Sequence, residues 1–206
     1  MASQNYMQST SMPAKLRTGL HKLGDVINNF LVEYWAHIIT IVLGSLVFIA
    51  LAIPFLSYFG LDSIAKPLFF TLHLVCAQIP SHSFYILGHQ VGLCARNFSI
   101  YTAMFLGSLI FLLSKKRVPG IPWWIWILML LPIAADGLTQ LVGWRESTWE
   151  LRIITGSLFG LGNVWFALPM MHQSLQETAS KPPQVTYFDR ARRALNARNN
   201  SPGQGN

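Results

Sequence analysis

The chain has 206 residues, with 15 Lys and Arg against 8 Asp and Glu, a formal net charge of +7 and a pI near 9.7. Hydrophobic residues make up 52% and charged residues 11%, where a soluble domain carries about 25% charged. That excludes an ordinary globule clothed in ionised side chains, and the high hydrophobicity excludes disorder for most of the chain. The basic pI admits nucleic acid as a partner, but seven Trp and a mean hydropathy of +0.39 point to lipid.

Residues 1–15 are polar and expected to be disordered. Between residues 16 and 34, apolar side chains fall at Leu16, Leu20, Leu23, Ile27, Leu31 and Tyr34, close to helical spacing. The segment reads as an amphipathic helix on the cytoplasmic leaflet, or as a helical lead-in to the first span. That span, 36–59, has no Asp, Glu, Lys or Arg and is flanked by Trp35 and Tyr58. A membrane helix needs about 20 such residues, and aromatic anchors favour the interface. The run starts too far into the chain and is too long for a secretory signal, so it is expected to stay as an anchor. Residues 64–79 hold Lys66, Pro67, His73 and Gln78 and are too short in apolar length to cross comfortably. They read as an interfacial or re-entrant half-helix, with a tilted fifth span as the alternative. Three further spans follow at about 95–113, 121–136 and 152–171. In the last, Gly156 and Gly160 form a GxxxG pair that permits close helix approach. Residues 173–206 are basic and expected to form a largely disordered cytoplasmic tail. The expected fold class is therefore all-α, a polytopic membrane protein of about four transmembrane helices plus an interfacial or re-entrant helix, with residues 35–172 as one transmembrane domain.

Four spans put both termini on one side. That side carries eleven Lys and Arg against four Asp and Glu, and the opposite side carries four against four. Lys and Arg accumulate on the cytoplasmic side, so both termini are expected there, in the inner (plasma) membrane. Lys115, Lys116, Arg117, Arg190, Arg192 and Arg193 are then contacts for anionic lipid. Nucleic acid is not expected as a partner, because no folded element is available to read bases.

Two constellations carry the chemistry. The first holds His73, Cys76, His82, His89 and Cys94, which include both cysteines of the chain. On the outer side two cysteines commonly pair, and a Cys76–Cys94 bridge would gain about 3 kcal/mol from loop closure. The rival is a soft-metal site with Cys76, Cys94, His73 and His89 as candidate ligands. Redox thiols rank lower on spacing, since neither cysteine has another two or three residues away. The second constellation is a buried polar network of Arg96, Asp136, Gln140, Arg145 and Arg152. An acid at membrane depth is costly unless paired, and a structural ion-pair network is favoured over a proton or substrate site. Ser147 and Glu150 have capping-box spacing before the last span. His37 and His172 are conceivable haem or chlorophyll ligands, more simply read as polar anchors. The cofactor, if any, stays unknown. Walker A, G-x-S-x-G, H-E-x-x-H and Rossmann patterns are absent from the sequence.

Taken together, Cys76-Ala77-Gln78, Ser83-Phe84, Gly88-His89-Gln90, Cys94-Ala95-Arg96-Asn97, Asp136-Gly137-Leu138-Thr139-Gln140, Arg145-Glu146-Ser147-Thr148 and Arg152 to Gly156 resemble a bacterial and archaeal membrane protein family, domain of unknown function 2085. The resemblance covers about residues 70–160. The family's pattern has Cys-His-Gln and Cys-Ala-Arg-Cys where this chain has Ala77 and Asn97. The family set implies a soft-metal or thiol centre, of which only Cys76 and Cys94 are kept. That loss points to a non-catalytic structural or accessory subunit, beside other membrane subunits or in a homo-oligomer. The alternatives are a metal-binding or thiol-redox protein using Cys76, Cys94 and a nearby His, and a small transporter or channel using Asp136 and Arg96.

Overall fold

The computed structural model describes residues 14–180. Its elements in chain order are α1 (Ala14–Tyr58), α2 (Asp62–Leu72), a 3-10 turn (Pro80–His82), strands β1 (Ser83–Ile86) and β2 (His89–Cys94), and helices α3 (Ala95–Leu113), α4 (Trp123–Leu141) and α5 (Trp149–Ser180). Four stretches are long and apolar enough to cross a membrane: Val32–Tyr58, Ala95–Leu113, Trp123–Leu141 and Trp149–Glu177. The protein is an all-α polytopic membrane protein with one small β-hairpin. Two compact units divide the chain, residues 1–170 and 171–206. All packing described below lies within the first, apart from a 3.1 Å contact between His172 and Gln176 on the last turns of α5.

Helix α1 runs unbroken through 45 residues. The segment 16–34 and the first span are therefore one continuous helix. Its buried positions, Ala36, Thr40, Leu43, Val47, Ala50 and Ile53, recur every three or four residues, which draws a stripe down one face. Against that stripe lies α3. The ring of Phe105 occupies the space a Cβ on Gly44 would need and meets Phe48 edge-on at 5.8 Å, and Trp35 meets Phe111. The opposite face exposes Ile38, Ile41 and Val42, as a lipid-facing surface does. Backbone polar groups pair within the helices, which suits hydrocarbon surroundings.

Helices α3 and α5 touch through the glycine pair. A Cβ on Gly160 would stand 2.5 Å from the Ile100 carbonyl oxygen, and one on Gly156 would collide with Ser99 Oγ and stand 2.8 Å from the Arg96 carbonyl oxygen. The backbones approach as closely as that motif allows. Helix α4 leans on α5 through Met129 over Gly162 and Trp126 stacked on Phe166 at 4.9 Å.

The expected half-helix 64–79 is corrected. Helix α2 ends at Leu72, Gln78 turns into the left-handed region with φ 52°, and Ile79 is extended before Pro80. A proline disfavours helical backbone in the residue before it. The chain then forms the hairpin, which the sequence reading did not anticipate. Ile86 pairs with His89 and Tyr85 with Gln90, and an irregularity separates these from the Ser83–Cys94 pair. The two-residue turn, Leu87-Gly88, has positive φ at both positions, as tight hairpins of this twist require. Hairpin and α2 close over the end of α1 in a small core of Ala50, Ile53, Leu72, Cys76, Val91 and Leu93.

Candidate functional site

The cap positions the cysteines. Cys76 follows the last turn of α2, and Cys94 ends β2 and N-caps α3. Eighteen positions apart in sequence, their sulfurs lie 3.0 Å from one another, and both are free thiols. The disulfide expected from the sequence is not present; an S–S bond is about 2.05 Å. Redox thiols ranked low because neither cysteine has another two or three residues away in sequence. Strand pairing and the α2 turn bring together what spacing alone kept apart.

The two sulfurs are not equivalent. Cys76 Sγ accepts the backbone N–H of Cys94 at 3.2 Å and of Gln78 at 3.4 Å, and Cys76 is 4% exposed. These donors stabilise a thiolate, and one of them heads a 19-residue helix, whose N-terminus favours negative charge. The hydrogen bond with Cys94 is the largest cause pulling the Cys76 thiol down to about 6, against the opposing effect of burial. The same bond, followed by burial, pushes Cys94 up. The two shifts run in opposite directions, so Cys76 gives up its proton more readily than Cys94.

Gln78 builds this corner, a role the sequence reading did not assign to it. Its Nε2 donates to the Phe69 and Gly92 carbonyls at 2.7 and 2.8 Å, and its Oε1 meets His73 Nδ1 at 3.1 Å. Its own carbonyl accepts from Gln90 Nε2 at 2.9 Å. Asn97, where the family pattern has cysteine, donates to the Val75 carbonyl at 3.0 Å and so ties the start of α3 to the strand-side loop. His73 is engaged with Gln78, and His89 opens β2. Among the described residues, no three His, Cys, Asp or Glu side chains gather as metal ligands. His37, on the exposed side of α1, has its ring 5.8 Å from Tyr34.

The second constellation assembles where α3 begins, α4 ends and α5 begins. Asp136, 3% exposed, receives Arg96 and Ser147 Oγ on Oδ2, the latter at 3.0 Å, and Arg145 on Oδ1 at 3.1 Å. Gln140 Oε1 accepts from the same Arg96 nitrogen at 3.5 Å. Four of the five network residues named from sequence therefore meet at or beside one carboxylate. The fifth, Arg152, is buried in the same region but makes no ion pair with it. Ser147 is an addition: its hydroxyl serves Asp136 rather than an N-cap, so the capping-box reading is corrected.

On the opposite end of the helices, Lys115 and Lys116 both take positive φ and stop α3. Lys116 donates to the Glu33 carbonyl at 3.2 Å and lies over the Trp35 ring, so it binds α1 as well as facing outward. Lys115 and Arg117 are exposed. Arg190, Arg192 and Arg193 lie outside the described residues.

A hairpin-capped, four-span helical assembly of this kind defines a polytopic membrane protein. The chain belongs to the family described as predicted membrane protein, domain of unknown function 2085, whose pattern matches residues 76–166. The match begins at Cys76 and takes in the second thiol and the whole Asp136 cluster. An uncharacterized protein of Methanocaldococcus jannaschii is 39% identical over 131 residues, which is 59% of this chain and 83% of that protein. Another, of Methanothermobacter thermautotrophicus, is 33% identical over 88 residues, 43% of this chain and 79% of its own length. No solved structure matches the chain.

Proposed function

We propose that this membrane protein is a dithiol–disulfide redox protein, with Cys76 as the attacking thiol and Cys94 as the resolving one. The single observation that supports it is the sulfur pair itself: two free thiols 3.0 Å apart, one of them fed by two backbone N–H groups. The accessory-subunit reading drew on the loss of a C-x-x-C pair, and that reason weakens when Cys76 supplies a partner from across the fold. In the reaction, the Cys76 thiolate attacks a disulfide of a second protein and expels one of its sulfurs as a thiolate. Cys94 then loses its proton and attacks Cys76 Sγ, which releases the second sulfur. Two thiols here become one disulfide, and the partner's disulfide becomes two thiols, so electrons and protons balance. With both termini in the cytoplasm, as the charge distribution favours, the pair sits on the outer face of the cell membrane.

The test is a titration of the purified full chain in glutathione buffers of graded potential, with free thiols trapped and the protein weighed by mass spectrometry. The expected result is a single transition in which both thiols disappear together with a loss of two hydrogens. Independent labelling of the two cysteines at every potential would overturn the reading.

A further inference from the structure

Arg152 is 5% exposed, yet among the described residues its guanidinium has no carboxylate within ion-pair distance and no hydrogen-bond acceptor. A buried cation without a counter-charge is costly. The nearby acid cannot supply one, because both Asp136 oxygens are committed to Arg96, Arg145 and Ser147. Two neighbouring donors, Arg96 Nε and Gln140 Nε2, are fully buried without acceptors, whereas Arg152 borders open grooves. The region therefore holds a surplus of donors and positive charge, with Arg96, Arg145 and Arg152 against Asp136 and Glu146. Arg152 lines two adjoining grooves. One is walled by His82, Gln140, Gly143, Arg145 and Glu146; the other runs past Ser81, Ser147 and Phe84. Burial first, and the Arg152 charge second, hold the His82 imidazole below its ordinary range; neutral, it leaves the positive charge to the arginines. Phe84 also borders an apolar crevice along α3 and α5.

We propose that Arg152 is the anchor of an oxyanion site of phosphate class, with Arg145, Gln140 and His82 as its flanking polar groups and Glu146 as a rim carboxylate that opposes the ligand. A guanidinium fork matches a phosphate in geometry and charge, and several convergent donors suit its several oxygens. The phosphate can be free in solution or the headgroup of a lipid whose chains lie along the apolar crevice.

The experiment uses the full chain purified in detergent, in two arms. Inorganic phosphate is titrated calorimetrically, and phosphatidylglycerol retention is measured by native mass spectrometry against phosphatidylcholine. Wild type is expected to bind at least one anionic probe. Phosphate alone identifies a site for free anion, phosphatidylglycerol alone identifies a headgroup site, and both together mark a site open to either. Arg152→Gln is expected to weaken binding at least about tenfold. Should that variant not fold, Glu146→Gln on the exposed rim is expected to tighten binding about threefold. Absence of binding by wild type, unchanged binding in Arg152→Gln, or unchanged binding in Glu146→Gln would each overturn the proposal.

Discussion

Cys76 and Cys94 have the same chemistry in sequence and opposite chemistry in the fold. The difference comes from the backbone: two N–H groups point at one sulfur, and the contact between the sulfurs lowers the Cys76 thiol while it raises Cys94. Since the Cys76 thiol is drawn down to about 6, it is protonated below that pH and a thiolate above it. Its alkylation rate in iodoacetamide is therefore expected to climb between about pH 5 and 7 and then level off. An ordinary thiol is still climbing at about pH 8. In Cys94→Ala the contact between the sulfurs is gone, and the midpoint is expected to move up towards the ordinary range. A midpoint unaffected by that substitution would remove Cys94 as the cause. The residues that do this were legible one by one. Both cysteines stand out in the sequence, but their contact depends on a turn at Gln78 that is set by tertiary hydrogen bonds rather than by local preference. Arg152 was legible as a member of a polar network. Its lack of an acceptor was not, because that depends on which arginines reach Asp136 first.

At the scale of elements, the long apolar runs were read with ease, because about 20 uncharged residues have few other fates. The hairpin escaped for definite reasons. Its turn is Leu87-Gly88 rather than the Asn-Gly or Asp-Gly that signals such turns, and β2 carries Gly92 within it. That glycine has a packing role: a Cβ there would stand 2.6 Å from both Ile53 and Leu72. The GxxxG pair in α5 was equally readable as common membrane glycine, and the contact with α3 decides the matter. Gly160→Leu is expected to force α3 and α5 apart, at a cost of about 1–3 kcal/mol as overpacking typically brings. It should lower the thermal midpoint in detergent. Gly137→Leu is the control, since nothing lies within 4 Å of a Cβ at that position. Equal shifts in the two variants would show that the α3–α5 contact does not carry stability.

For the molecule as a whole, charge placement was more informative than total charge. The net +7 falls entirely on the side of the termini once the spans are drawn, so a number that first admitted nucleic acid becomes an orientation signal. The expected topology is checked with both native cysteines replaced by alanine and single new ones added. In intact cells, Trp144→Cys is expected to react with a membrane-impermeant maleimide, and Ser114→Cys only after permeabilisation. The reverse pattern would invert the protein and move the thiol pair to the cytoplasmic face.

The unequal lengths of α1 and α3 set a fixed height for the sulfurs. The 27-residue apolar stretch of α1 is about 40 Å long and the 19-residue α3 about 28 Å, at 1.5 Å per residue, against a hydrocarbon layer of about 30 Å. The excess of α1 is not left to lipid. Ala50 and Ile53 are buried under Leu72, Val91 and Leu93, so the membrane anchor itself becomes the pillar on which the cap rests. No linker separates the two, and the thiols have no arm on which to swing out. On the redox reading proposed above, a protein that exchanges electrons with Cys76 would have to bring its own reactive group down to the cap, which favours partners that are themselves membrane-bound or that carry a long mobile arm.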